Sequence, residues 1–230
     1  MMHCIASRIA IALTAATLPF AGPAIGADNA TFSVAEKRLF IDDHLRGVQG
    51  PATLEYTYAK RGSLEAPVDD TARVIIGASS AKGGTSVKVD YLTDTRKLEL
   101  SDIDGANANP VILFFLERDI REMHRLTGGS ANYYRKRIRM ALAEGGTIEN
   151  VVVGVGTRRV AATEIHIAPY RDDPARSRYE KFADKSYVFT LSDEVPGKVV
   201  ELRSELSGTD TPGQVPAMLI AETLRFAGAR

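Results

Sequence analysis

The sequence predicts an α+β fold: one strongly curved, mostly antiparallel sheet of about nine strands, a half-barrel, with a helical hairpin inserted midway and a short helix in front. Three observations carry this. Apolar and polar residues alternate in several runs on both sides of residues 109–144. That middle stretch changes to helical periodicity. The strands come in groups rather than in strict β-α alternation, as they do in antiparallel sheets. Size sharpens the prediction, because nine strands make a sheet about 43 Å wide while each helix covers about 10 Å. Three helices side by side leave apolar surface bare, so the sheet must curl around a packed core or a cavity.

In chain order, Met1–Arg8 holds one cation, Ile9–Leu18 is apolar, and Ala24-Ile25-Gly26-Ala27 offers small residues for cleavage. Residues 1–27 therefore read as a secretory leader and 28–230 as a single domain. The apolar core of the leader is about half of the roughly 20 residues that span a bilayer, and no later stretch is long and charge-free enough. A periplasmic protein is expected. Ser33 and Glu36 have capping-box spacing, with Phe32 as a staple, and open a helix carrying Leu39, Phe40 and Leu45 before Gly47. From Ala52 the period is two: Leu54, Tyr56 and Tyr58, then Val74 and Ile76, then Val87, Val89 and Tyr91, then Leu98 and Leu100. After the helices, Ile148–Val155 and Val160–Ile167 form a hairpin across Gly156-Thr157, and Asp173-Pro174 caps a short helix through Ala183. Tyr187, Phe189 and Leu191 mark the next strand, Pro196-Gly197 turns into 198–206, and 218–226 closes the sheet.

The hairpin runs from Asn109 to Glu144. Asn109 before Pro110 is an N-cap with proline at the first helical position. Gly128 and Gly129 end the first helix, and Ser130 starts the second. At 100° per residue, Ile112, Leu113, Leu116, Ile120, Met123 and Leu126 form one stripe, with Arg118, Arg121 and Arg125 opposite. Asp119 falls inside the stripe and needs a partner, for which Arg135 on the second helix is the candidate, making a polar anchor. Phe114 falls among the arginines, which implies cover on both sides of the first turn. On the second helix Tyr134, Ile138, Ala141 and Leu142 form the apolar stripe, while Tyr133 and Met140 lie opposite.

Composition excludes several chemistries. Lys and Arg total 29, as do Asp and Glu, and the only cysteine is Cys4. Loss of Arg8 with the leader leaves 28 cations against 29 anions, so no global charge draws nucleic acid. The charges of Arg135-Lys136-Arg137-Ile138-Arg139 spread around their helix instead of tracking phosphates. A mature chain without thiols makes no disulfide and has no Cys nucleophile. His44, His124 and His166 lie far apart, without metal-ligand spacing. Asp102-Ile103-Asp104-Gly105 lacks the glycine placement and final glutamate of a calcium loop. Gly154-Val155-Gly156 lacks a third glycine, and no G-x-S-x-G elbow is present. No metal, cofactor or catalytic residue is assigned.

The order of elements, from secretion leader and N-terminal helix through two groups of strands separated by a helix pair, resembles the periplasmic lipoprotein carrier and receptor fold, an unclosed barrel lidded by helices. Leu39-Phe40-Ile41-Asp42-Asp43-His44-Leu45 and Arg121-Glu122-Met123-His124-Arg125-Leu126-Thr127-Gly128-Gly129 are similar to stretches of secreted proteobacterial proteins of unknown function. The carrier resemblance implies a hydrophobic cavity that shields an acyl chain or another apolar small molecule. Its expected lining is Leu54, Tyr56, Val89, Phe115, Met123 and Phe189, roofed by the hairpin. Two alternatives stand beside it: an envelope scaffold with a filled core that binds another protein, and a hydrolase assembled from distant acids and a histidine.

Overall fold

The computed structural model describes residues 32–79, 85–100, 103–208 and 217–230. The leader, Cys4 and Asp102 lie outside them. Ser33 and Glu36 close their capping box, with the Glu36 amide donating to Ser33 Oγ at 3.0 Å and the Ser33 amide donating to the Glu36 carboxylate at 2.9 Å. The helix they start, α1, covers Val34–Glu36 and widens into one π-helical turn over Lys37–Ile41. Strands β1 (Ala52–Arg61), β2 (Val68–Ser79), β3 (Thr85–Tyr91) and the two-residue β4 (Ile103–Asp104) follow. Helices α2 (Val111–Thr127) and α3 (Ala131–Ala143) make the hairpin. Then come β5 (Thr147–Val155), β6 (Arg158–Ile167), β7 (Ser186–Leu191), β8 (Val199–Ser207) and β9 (Met218–Ala229).

All strands join one antiparallel sheet in the order β4-β3-β2-β1-β9-β8-β7-β6-β5, eight of full length and β4 as a stub at one edge. The first and last long strands therefore meet in the middle, and β4 and β5 are left as the free edges of an unclosed half-barrel. Register shifts within the β1–β9, β2–β3, β7–β8 and β8–β9 pairs mark bulges, which bend strands and raise their twist. They supply the curl that sheet width demands.

The helices lie on the concave face. Phe114 of α2 is buried and tilts against Tyr91 of β3, their ring centroids 5.9 Å apart, so the first turn is covered on both sides as expected. Ile138 and Leu142 of α3 join Ile165 and Ile167 of β6 in the core. The Ser33 hydroxyl donates to Leu142 O at 2.7 Å and docks α1 on the end of α3. Helix α2 ends on Gly128, whose φ of 70° is the left-handed conformation that glycine adopts without strain.

Several details differ from expectation. Leu98 makes a single bridge to Tyr91 and Leu100 is exposed, because the edge strand forms at Ile103–Asp104 instead. The short helix after Pro174 is two separate 3-10 turns, Arg176–Arg178 and Glu180–Phe182. Ser130 stands at the N-cap of α3 but its hydroxyl makes no capping bond. Leu113, at the edge of the stripe, is exposed, and Arg118 turns inward, since α2 touches protein around more than its apolar stripe.

Asn109 ties the two halves together. Its Oδ1 accepts the Val111 amide at 3.2 Å, a capping bond of the kind predicted although the helix starts one residue later, with Pro110 at the N-cap, and its Nδ2 donates to Tyr56 Oη of β1 at 2.8 Å and to Gly197 O at 2.9 Å. Gly197 has φ 72°, and a Cβ there would sit 2.3 Å from Leu54 Cδ1 and 2.8 Å from Asn109 Nδ2. Gly197→Ala should therefore cost about 2–5 kcal/mol, strain plus overpacking. Gly156→Ala, with φ 58° and open space, should cost only about 1–2 kcal/mol. Urea unfolding of both variants checks this, and equal losses would contradict the packing assigned to Gly197.

Candidate functional site

Five of the six residues expected to line a cavity are sealed. Leu54, Tyr56, Phe115, Met123 and Phe189 are at most 1% exposed in one contiguous core, with Val89 half-buried against it. They meet one another and the helices, so in this structure they form packed wall.

Beneath α2 lies a layer of charged groups. Asp119 is fully buried and pairs with Lys185, while Tyr187 Oη donates to it at 2.5 Å and Ser204 Oγ at 3.2 Å. The predicted partner Arg135 is elsewhere: it bonds Glu117 at 2.9 Å on the outer side of the hairpin. Asp119 points into the sheet, where Arg135 at the edge of α3 does not reach. A second group joins Lys60 to Glu65 and, at 2.6 Å, to Glu122, with Glu222 at 3.6 Å. Arg118 closes it, reaching both oxygens of Glu222 at 2.7 and 2.8 Å with its guanidinium 5.2 Å above the Tyr58 ring. Burial pushes the Glu122 carboxyl up, but hydrogen bonds from Arg125 and Lys60 outweigh it and leave the group well below the usual carboxylate range.

Lys60, Glu222 and Ser204 missed the sequence reading, yet each carried a signal. Lys60 follows Leu54, Tyr56 and Tyr58 on the inward phase of β1, Glu222 sits between Ile220 and Leu224 on that of β9, and Ser204 between Leu202 and Leu206 on that of β8. A polar group on the apolar phase of a strand is the counterpart of Asp119 in its helical stripe.

One open volume lies at the β5 end of the sheet. A groove of about 410 Å³ has a floor of Asn150, Val152, Ala161, Thr163 and Leu191, and is walled by Arg38, Asp42 and His44 on one side and by 192–194 and Lys198 on the other. Ile148 stands opposite the fully buried Ile165, and Val152 opposite Ala161, so both point to the core face. They are nevertheless 38% and 56% exposed, because no described helix extends over them. The far wall is anchored to β6 by side chains that finish its ladder where β7 stops: Ser192 Oγ donates to Ala161 O at 2.6 Å, and Glu194 accepts the Ala161 amide at 2.9 Å. Lys198 pairs with Asp193 at 2.9 Å, which holds the Asp193 carboxyl below its ordinary range.

His44 is the only histidine at this groove, and both its nitrogens are committed. Nδ1 accepts the Asn109 amide at 3.1 Å, which fixes the proton on Nε2, and Nε2 donates to Arg38 O at 2.7 Å. Burial lowers its pKa. Neither nitrogen is left to exchange protons with a substrate. His124 bonds Gly129 O at 2.6 Å on the hairpin surface, and His166 pairs with Glu164 at 3.2 Å on the outer face. The structure thus keeps the three histidines apart. Among the described residues no group of three His, Cys, Asp or Glu side chains is placed to hold a metal ion. No described helix is long and apolar enough to cross a membrane.

Because the folded state holds His44 neutral, the unfolded chain takes up its proton first, and the stability His44 contributes is present above about pH 6.5 and lost as pH falls. Wild-type protein should lose stability between about pH 7 and 5. His44→Ala should be less stable by about 1–3 kcal/mol near pH 8 and show a flatter decline below pH 7. An unchanged slope in urea titrations across this range would contradict the assignment.

No family model and no curated protein matches the chain. Among solved structures it is similar to the Mycobacterium tuberculosis lipoprotein LppX, with 9% identity over 80% of this chain and 89% of that one and a TM-score of 0.33. It is also similar to a LolA-superfamily protein from Nitrosomonas europaea, with 10% identity over 82% of this chain and 89% of that one and a TM-score of 0.21.

Proposed function

We propose that this chain is a non-catalytic binding protein for an apolar, acyl-like ligand, delivered to the periplasm by the leader read over residues 1–27, and that the ligand seats at the β5 end of the half-barrel. The observation that supports it is the exposure of Ile148 and Val152 on the core face of the sheet, beside an open groove of about 410 Å³. Volumes of about 300–1,000 Å³ suit small-molecule sites, and each 100 Å² of apolar surface taken from water contributes about 2.5 kcal/mol. The engagement of both His44 nitrogens favours binding over hydrolysis. The five sealed residues Leu54, Tyr56, Phe115, Met123 and Phe189 reach a guest only if α2 leaves the sheet, parting Asp119 from Lys185 and Arg118 from Glu222, while Val89 is half-buried away from the groove.

A second role rests on a different observation. The edge strand β5, Thr-Ile-Glu-Asn-Val-Val-Val-Gly-Val, contains neither proline nor lysine, the usual blocks to strand addition. An envelope protein that adds a strand there is the alternative partner.

Native mass spectrometry of protein recovered from its own periplasm, followed by titration with a fluorescent fatty acid, tests the proposal. Co-purified acyl species and micromolar binding are expected, weakened about tenfold or more by Val152→Asp, which sets a charge on the floor. Binding unaffected by Val152→Asp, or no acyl binding at all, would overturn it, and co-purification of a protein without lipid would favour the edge strand.

A further inference from the structure

A second surface, away from the groove, carries a different chemistry. Tyr133, Lys136, Arg137 and Met140 stand at i, i+3, i+4 and i+7 of α3 and share one face of it. That face meets Ala175 and Arg178 from the loop between β6 and β7, and together they line a hollow of about 540 Å³. A neighbouring hollow of about 400 Å³ shares Tyr133, Ala175 and Arg178 and adds Tyr134 and Tyr179, with Ser130 and the Gly128-Gly129 backbone at its rim. The two form one furrow. The charges of α3 are dispersed around the helix as a whole, but the loop brings a further cation to the face that holds Lys136 and Arg137.

We propose that this furrow binds an acidic oligosaccharide, a chain of sugar rings bearing carboxylate groups. Charge sets the sign: three cations and, among the described residues, no acid line the two hollows. The one acid beneath them, Asp173, is buried and already engaged, with Arg137 at 3.1 Å, Tyr133 Oη at 2.5 Å and Tyr179 Oη. The bond to Asp173 fixes the partly exposed Tyr133 ring, and the buried Tyr179 and Tyr134 rings pack edge-on behind it, so one aromatic face for stacking on a sugar is held in place before a ligand arrives, at little further cost in side-chain entropy. Hydroxyl groups at Ser130 and Ser177 supply partners for ring hydroxyls. Three cations are too few for a nucleic acid, whose binding rests on about 6–10 phosphate contacts, and Met140 is the single long apolar side chain, too little for an acyl chain.

Calorimetric titration of the full chain with an oligogalacturonate, with the same oligomer after reduction of its carboxyl groups, and with polyphosphate tests this. The acidic oligomer should bind about tenfold or more tightly than the neutral one. Arg178→Gln, at an exposed position, should weaken it about tenfold, as loss of one charge-assisted hydrogen bond does. Tyr133→Phe, which keeps the ring but loses its bond to Asp173, should bind less tightly than wild type but more tightly than Tyr133→Ser, which should bind about tenfold less, with unfolding midpoints confirming that both variants fold. No binding, equal binding of the neutral oligomer, or polyphosphate bound as tightly as the oligogalacturonate and untouched by Tyr133→Ser would each overturn the proposal.

Discussion

A sheet of nine strands offers more concave surface than three helices can cover, and the arrangement of this molecule follows from where the cover falls. Helix α2 takes the centre, against β1, β3 and β7–β9, α3 takes the C-terminal half of β6, and α1 docks on the end of α3. The strip formed by β5 and the N-terminal half of β6 keeps the inward alternation of the rest of the sheet but has no described helix packed over it. Side chains chosen for a core, Ile148 and Val152, thereby face solvent, and a groove opens beside them. Asn109 matters here because it fastens β1, the 192–198 turn and the start of α2 at one point, and that turn is the far wall of the groove.

The same geometry explains why the centre is a poor receptacle. Removing one partner of a buried ion pair costs about 3–5 kcal/mol, and α2 makes two sets of such pairs with the sheet. Lifting it would carry Asp119 and Arg118 off their partners and leave Lys185, Lys60 and Glu222 as a charged floor that an acyl chain does not stabilise. Their charges balance within the layer, so α2 is held by many directional contacts as well as by apolar burial. A guest at the uncovered strip disturbs none of them.

Local signals were legible wherever the chain writes them within a few residues: the Ser33–Glu36 capping box, the Asn109-Pro110 start, the Gly128 stop, the two-residue turn at Gly156-Thr157 and the curled antiparallel sheet that the strand pattern required. What escaped was pairing across the fold. Asp119 was identified as an ion needing a partner, but Lys185 lies 66 residues away and is joined to it only by the packing of β7 under α2. The angular position of Arg118 placed it in solvent because a helical wheel assumes a single buried face, whereas α2 is contacted around more of its circumference. The groove draws on residues near 40, 150, 160 and 195, which only the strand order β7-β6-β5 and the docking of α1 bring together. A cavity was expected where the helices are. The groove with apolar residues of the core face at its floor lies where they stop.

The sharpest discrimination comes from NMR of the protein with a spin-labelled fatty acid, whose unpaired electron broadens only nearby resonances. If the guest sits on the uncovered strip, the signals of Val152, Ala161 and Ile148 should broaden first, while Met123, Phe115 and Leu54 stay sharp. Broadening confined to Met123, Phe115 and Leu54, with β5 untouched, would place the ligand beneath α2 and contradict the site assigned to it.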